Sequence, residues 1–481
     1  MSKKFYITTP IYYINDIPHI GHAYTTVAAD VLARYYRDVK NQDVFFLTGV
    51  DEHGAKIAAA AKKAGMGPKE FADFLVPRFQ DAWKNLNIEY SEFFRTTNPE
   101  HNKIVQEMIA ELQKRGFIEK RKYEGLYCIA CEKFLPPDEL KDGNCPDHGT
   151  KPEKHSEENY FFLLSKFGKN LLAAIKAGDY QILPEARKNE VVGKIKAGLE
   201  DISISRQKVE WGIPFLGDPA QTIYVWIDAL INYFSEEIIY QSQKSKVKSQ
   251  KDGADYLIFP PDIQLMAKDI LWFHAIVWPA ILIALDIPLP KKIFAHGFFT
   301  VGGQKMSKTR GNVLDPNVLV EKFGADAVRY ALLREFPFGE DGDISEEKIA
   351  ARYQSELSNG LGNLVQRTIS MMNKYRVESR KSKVESRNEK IGKLIEELKF
   401  DQALQKIASE ITKLNQYIEE NKPWELAKTD KEKLSEVLNH VFFNLKSLIL
   451  PLSPFMPKTA EKMKSQLETL EPEPLFPRIE S

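Results

Sequence analysis

Residues 4–49 read KFYITTPIYYINDIPHIGHAYTTVAADVLARYYRDVKNQDVFFLTG. The opening KFYITTPIYY is dense in β-branched and aromatic side chains, the composition of a buried strand. AYTTVAADVLARYYRDVK then repeats apolar positions at Ala23, Val27, Val31 and Tyr35, one face of a helix, and DVFFLTG returns to a strand. Strand, helix and strand in succession predict a parallel α/β sheet that gathers its ligands at the carboxyl ends of the strands.

From about Gly116 to about Ile223 the texture changes to short strands and turns, after which TIYVWIDALINYF and DYLIFPPDIQLMAKDILWFHAIVWPA resume the buried strand and helix patterns. The sheet is thus expected to be split by an insertion. Beyond about residue 350 strand signals vanish, and in FDQALQKIASEITKLNQYIEENKPW the positions Phe400, Ala403, Leu404, Ile407, Ile411, Leu414 and Ile418 follow a helical period. The expected organisation is an α/β, Rossmann-like catalytic domain over 1–115 and 224–349, a connective insertion over 116–223 and a helical bundle over 350–481.

A chain of 481 residues exceeds one hydrophobic core, which predicts several domains. Lys plus Arg equals Asp plus Glu at 67 each, so a nucleic-acid partner would have to meet a local basic surface. The greasiest run, LWFHAIVWPAILIALDIPLP, is broken by His274, Pro279 and Asp286, which argues against a membrane span. The opening MSKKFYITTPIYY lacks the features of a targeting segment, so a cytoplasmic location is expected. IYQSQKSKVKSQKDGAD and RVESRKSKVESRNEK read as solvated loops or linkers.

All three cysteines fall in YCIACEKFLPPDELKDGNCPDHGT, as Cys128, Cys131 and Cys145, with His148 close behind. Two short hooks separated by a connector long enough to fold back bring four soft donors to one tetrahedral point, and zinc is the expected occupant. Four protein donors close the coordination, so this metal would hold a module together while the chemistry lies elsewhere.

In NDIPHIGHAYTT, His19 and His22 flank Gly21 at a turn entering a helix, where unpaired backbone donors and the helix dipole favour phosphate. Alone this is equally a turn with incidental histidines. HGFFTVGGQKMSKTRGN adds Lys305 and Lys308 on a loop bracketed by Gly302, Gly303 and Gly311, cations able to close over a phosphate as charge develops. GVDEHGAK lacks the Lys that a Walker A loop needs, and no dinucleotide glycine fingerprint follows the first strand.

HIGH at 19–22 and KMSKT at 305–309 resemble the two signatures of class I aminoacyl-tRNA synthetases. FLTGVDEHG, the cysteine loop, YVWIDALINYF, AKDILWFHAIVWPA, KFGADAVRYALL, LGNLVQRT and NKPWELAK are similar, in order, to the methionine-specific branch of that family. The resemblance implies that ATP with Mg²⁺ and L-methionine give an adenylate, and that the methionyl group passes to the terminal ribose of tRNA(Met). It also implies ATP contacts from His19, Gly21, His22, Lys305, Ser307 and Lys308. An amino-acid pocket of Ile11, Tyr13, Asp51, Trp226, Ala229, Tyr233, Ile270, His274 and Trp278 follows, with Asp51 receiving the ammonium group. The helical bundle becomes an anticodon-binding domain in which Asn363, Arg367 and Trp424 read CAU, and the protein is expected to be a monomer.

The chain departs from the family pattern at Thr309, usually Ser, at Met266–Ala267, commonly Ile-Gly, and at Leu230, Pro in some members. A sister enzyme for Leu, Ile or Val would carry a larger insertion for editing, and a cysteine enzyme would need an open metal position. A zinc-containing RNA-binding protein without catalysis is the remaining alternative, against which the intact His19, His22, Lys305 and Lys308 argue.

Overall fold

The computed structural model describes residues 3–128, 133–135, 139–146, 149–207, 209–247, 259–305, 313–379 and 388–479. Its first unit runs β1 (Lys4–Tyr13), α1 (Ile20–Arg34), β2 (Asp43–Asp51), α2 (Ala55–Ala64), α3 (Pro68–Asn85), β3 (Glu92–Arg95) and α4 (Pro99–Lys114). The stripe Ala23, Val27, Val31 and Tyr35 is buried, as its periodicity predicts.

The next segment contains β4 (Ile118–Cys128), β5 (Lys133–Leu135), β6 (Glu153–Phe162), α5 (Gly168–Ala177), β7 (Gln181–Leu183), α6 (Glu185–Ala197), β8 (Ile202–Ser203), β9 (Ser205–Arg206), β10 (Pro214–Phe215) and β11 (Asp218–Ile223). The chain returns through α7 (Val225–Val247), β12 (Ile263–Ala267), α8 (Trp278–Ala284), β13 (Lys292–His296), β14 (Phe299–Val301), β15 (Gln304–Lys305), α9 (Pro316–Phe323), α10 (Ala325–Arg334) and β16 (Gly342–Asp343).

Six strands form one parallel sheet in the order β3-β2-β1-β12-β13-β7. The two halves of the chain meet between β1 and β12, the kind of switch point where a crevice opens at the strand ends. Side chains alternate across this sheet as the pleat requires. Phe5, Ile7, Phe46, Leu265 and Phe294 pack toward α1 and α3, while Tyr6, Phe45, Leu47, Met266 and Ile293 pack toward α4, α7 and α8.

The expected insertion over 116–223 is less separate than its texture suggests. Two helices interrupt its short strands, and β7 joins the edge of the main sheet beside β13. Three residues of strand are too short to carry a periodic signal.

The C-terminal part is helical: α11 (Glu346–Arg352), α12 (Asn363–Tyr375), α13 (Asn388–Glu396), α14 (Phe400–Asn421), α15 (Pro423–Thr429), α16 (Lys431–Leu452) and α17 (Pro457–Thr469). All seven apolar positions predicted for the α14 stripe are buried. Their core is continuous with that beneath α1, so the bundle is packed onto the sheet domain. Among the described residues no helix is long and apolar enough to cross a membrane.

Candidate active site

The carboxyl ends of β1, β2, β12 and β13 open into a cleft of about 650 Å³. A register shift between Thr8 and Ile11 of β1 against β2 marks a bulge at Thr9–Pro10, a device that bends a strand and re-aims its side chains. Ile11 and Tyr13 beyond it line the cleft with Asp51, the last residue of β2. Gly49 lets β2 approach β3 closely, since a Cβ there would meet the Phe94 carbonyl oxygen at 2.2 Å.

His19 is the N-cap of α1, where its Nδ1 accepts from the Gly21 N–H at 3.1 Å. His22 Nδ1 accepts in turn from the His19 N–H at 3.3 Å, a histidine version of the reciprocal capping box. The rings are stacked, 3.7 Å between centroids and 19° apart. Burial holds both imidazoles below their ordinary pKa, and at His22 the proximity of His19 adds to it. With each Nδ1 accepting, both rings are neutral Nε2–H tautomers, able to donate from the edge of a helix N-terminus. The histidines therefore act as donors without charge.

The amino-acid side of the cleft is built on α7 and on a π-helical turn, Phe273–Val277, a form that often marks functional positions. His274 Nδ1 donates to the Ile270 carbonyl at 3.0 Å, which leaves Nε2 to accept from the Tyr233 hydroxyl at 2.8 Å. Burial pushes His274 down to about 4 and raises Tyr233 well above its ordinary value. Trp226 stacks face to face on Phe273 at 4.3 Å. Eight of the nine predicted pocket residues line the cleft, namely Ile11, Tyr13, Asp51, Trp226, Ala229, Tyr233, Ile270 and His274. Trp278 does not. It is wholly buried behind Tyr233, 6.3 Å between ring centroids, and belongs to the supporting core.

Gly21 and the departures Leu230 and Ala267 also line the cleft, while Met266 faces the core. His296, at the end of β13, was not singled out from the sequence. Its Nδ1 donates to the Gly297 carbonyl at 2.8 Å and its Nε2 accepts from Thr25 at 2.6 Å. Burial lowers it to about 4. Position at a strand end was its available signal. Lys56, the second residue of α2, also reaches the cleft, 5.8 Å from the Tyr13 ring centroid.

Lys305 ends β15, which pairs with β14 across Gly302 and Gly303, both left-handed at φ 59° and 74°, as a tight hairpin turn requires. Ser307, Lys308 and Thr309 lie outside the described residues. The same holds for Cys131 and His148. Cys128 and Cys145 are buried in one small cluster with Leu135, and the Cys145 turn is closed by the Gly149 N–H donating to its carbonyl at 2.8 Å. In the bundle, the Arg367 guanidinium lies 5.4 Å from the Trp424 ring centroid and bonds Glu419 at 2.6 Å. Asn363 is exposed one turn before Arg367 on α12.

A nucleotide-sized cleft at the switch point, bearing a histidine-capped helix and followed by a helical bundle, defines a class I synthetase. The chain belongs to this family: tRNA synthetases class I (M) match residues 5–151 and 137–369, and the anticodon-binding domain of tRNA ligases matches residues 381–476. Within the class its relatives are methionine–tRNA ligases. That of Caldanaerobacter subterraneus is 45% identical over 97% of this chain and 74% of its own, and that of Streptomyces coelicolor 41% over 97% and 90%. The Mycobacterium tuberculosis methionyl-tRNA synthetase in complex with methionyl-adenylate superposes with a TM-score of 0.89 at 34% identity, covering 99% of this chain and 100% of that one. Its apo form gives 0.82 at 31%, covering 100% and 99%.

Proposed function

We propose that the protein activates L-methionine with ATP, releasing pyrophosphate, and transfers the methionyl group to the terminal ribose of tRNA(Met). The observation that carries this is one cleft joining a pair of uncharged imidazole donors on α1 to an aromatic and apolar wall from α7 and the π-helical turn, with the Asp51 carboxylate at the end of β2 between them.

Asp51 receives the substrate ammonium, which leaves the substrate carboxylate directed at the α-phosphorus. That carboxylate is already ionised, so its oxygen forms the new bond as the pyrophosphate oxygen leaves with the electron pair, and no base is required. Catalysis reduces to placement and to stabilising charge on the phosphate oxygens. Nε2–H of His19 and His22 donates to those oxygens, and the family resemblance assigns Lys305, Ser307 and Lys308 to the same phosphates. Magnesium accompanies ATP and screens its charge.

Selectivity follows from hydrogen bonds already made. The Tyr233 hydroxyl donates its hydrogen bond to His274, and His274 donates to the Ile270 carbonyl, so this pair turns lone pairs and aromatic faces, and no donor, to the pocket. A thioether is content with polarisable contacts of about 0.3–1.5 kcal/mol each, whereas a charged side chain would be left unpaired. For the tRNA, Trp424 is a stacking platform supported by Arg367, and Asn363 faces the same side to read a base edge.

The thiols of Cys128 and Cys145, buried together among leucines, suit a soft metal ion. With Cys131 and His148 they would hold zinc, which supplies structural closure of the knuckle. The decisive experiment is ATP/pyrophosphate exchange with each of the twenty amino acids. Methionine alone should stimulate it, and stimulation by any other would overturn the assignment.

A further inference from the structure

Beneath the cleft lies a polar network that lines no part of it. Asp228 on α7 is 1% exposed, with Oδ2 2.7 Å from His53 Nδ1 and Oδ1 2.7 Å from His101 Nε2. His101 is fully buried and set edge-on against Phe94, and its Nδ1 lies 2.7 Å from the Ser235 hydroxyl. His53 stands two residues past Asp51, its N–H 3.4 Å from Asp51 Oδ1, and its ring meets the edge of Trp211.

The placement of these groups on α7 is informative. Trp226, Ala229, Leu230 and Tyr233 share one helix face and line the cleft. Asp228, Asn232 and Ser235 occupy the opposite face. The two carboxylate oxygens are bonded in two directions, one to the strand end that carries Asp51 and one to α4. A helix held so cannot turn about its axis. Turning α7 by about 10° would move a side-chain tip, about 6 Å from the axis, by about 1 Å, twice the tolerance of about 0.5 Å for a working site. An apolar replacement of similar volume would commonly be as stable as a buried ionic group of this kind, so stability alone does not account for it.

We infer that Asp228, clamped between His53 and His101, is a positioning residue for the amino-acid pocket: it fixes the rotation of α7 relative to Asp51. This rests on the methionine assignment above and adds the device that sets the pocket's width.

The test is exchange kinetics on the intact chain. In Asp228→Asn the amide can still bond both rings if His101 changes tautomer, so folding is kept while the charge-held geometry is lost. The expected result is a KM for methionine raised about tenfold or more, with the KM for ATP within about twofold. Ser235→Ala, which frees the far side of His101, should shift the methionine KM in the same direction by about threefold, and it decides the matter if Asp228→Asn does not fold. Folded variants with an unchanged methionine KM, or with both KM values rising together, would overturn the inference. Wild-type protein that shows no methionine-dependent exchange overturns the assignment itself, before any variant is made.

Discussion

At the scale of single residues, the chemistry depends on which imidazoles are neutral. His274 and His296 are buried at 3% exposure, and burial lowers each from 6.5 to about 4. The unfolded chain therefore takes up protons first as the pH falls. Stability from these two groups is complete above about pH 6.5 and is lost between there and about pH 4, by up to roughly 3 kcal/mol for each. Urea midpoints should fall steadily from pH 7 to pH 4.5, less steeply in His296→Gln; a flat wild-type profile would contradict the tautomers assigned. For the α1 pair, His22→Gln should lower the exchange rate by about 10²-fold or more, the range for removing one donor to developing charge. Its KM for methionine should stay close to wild type, as stopped-assay titrations would show. These residues were partly legible in the sequence. HIGH announces the capping pair, but the tautomers depend on backbone contacts that spacing does not reveal. Trp278 lies behind Tyr233, and a tryptophan one layer behind a pocket has the same sequence character as one lining it, so only packing separates them.

At the scale of elements, strands and helices announced themselves where one face is buried and long enough to show a period. β1, α1, β2 and α14 all lie where their patterns predict. β7 was hidden in the insertion, and the bulge at Thr9–Pro10 depends on pairing with β2, a partner distant in sequence. That junction is also sensitive. Gly49→Ala would drive a Cβ into the Phe94 carbonyl and push β2 from β3, costing about 1–3 kcal/mol or more, and displacing Asp51 two residues on. Thermal melts should register the loss, and the KM for methionine should rise. In the bundle, Trp424→Ala removes a stacking face worth about 1–3 kcal/mol per base from a helix far from the cleft. Charging of tRNA(Met) should fall about tenfold or more while pyrophosphate exchange stays within about twofold, and equal loss of both would make Trp424 a packing residue.

At the scale of the whole molecule, the cleft and the bundle are joined through one buried guanidinium. Arg329 on α10 is fully buried and pairs with Asp30 of α1 at 2.7 Å. It also donates to the carbonyls of Leu86 at 3.2 Å, Pro454 at 2.8 Å and Phe455 at 2.9 Å. Asp30 in turn holds Arg34 at 2.8 Å and accepts from the Glu89 N–H at 2.8 Å. The helix that presents His19 and His22 is thereby fastened, two turns on, to the end of α3 and to the turn between α16 and α17. Three carbonyls from two places distant in sequence, the end of α3 and the α16–α17 turn, converge on a cation that no local sequence pattern identifies, which is why this junction was not legible beforehand. Removing Arg329 leaves three buried carbonyls without their donor and Asp30 with Arg34 as its remaining cation, and each buried group left unpaired costs about 1–3 kcal/mol. Arg329→Met should lower the urea midpoint accordingly. Because the guanidinium is the shared partner of sheet domain and bundle, the loss should also separate their unfolding. Trp424 fluorescence, isolated in a variant retaining it as the sole tryptophan, should then report a transition at lower urea than far-ultraviolet circular dichroism does. Wild-type contacts across Arg329 predict coincident transitions by both probes before the substitution; coincidence after it would mean that the apolar core shared beneath α1 and α14 is sufficient to couple the two parts.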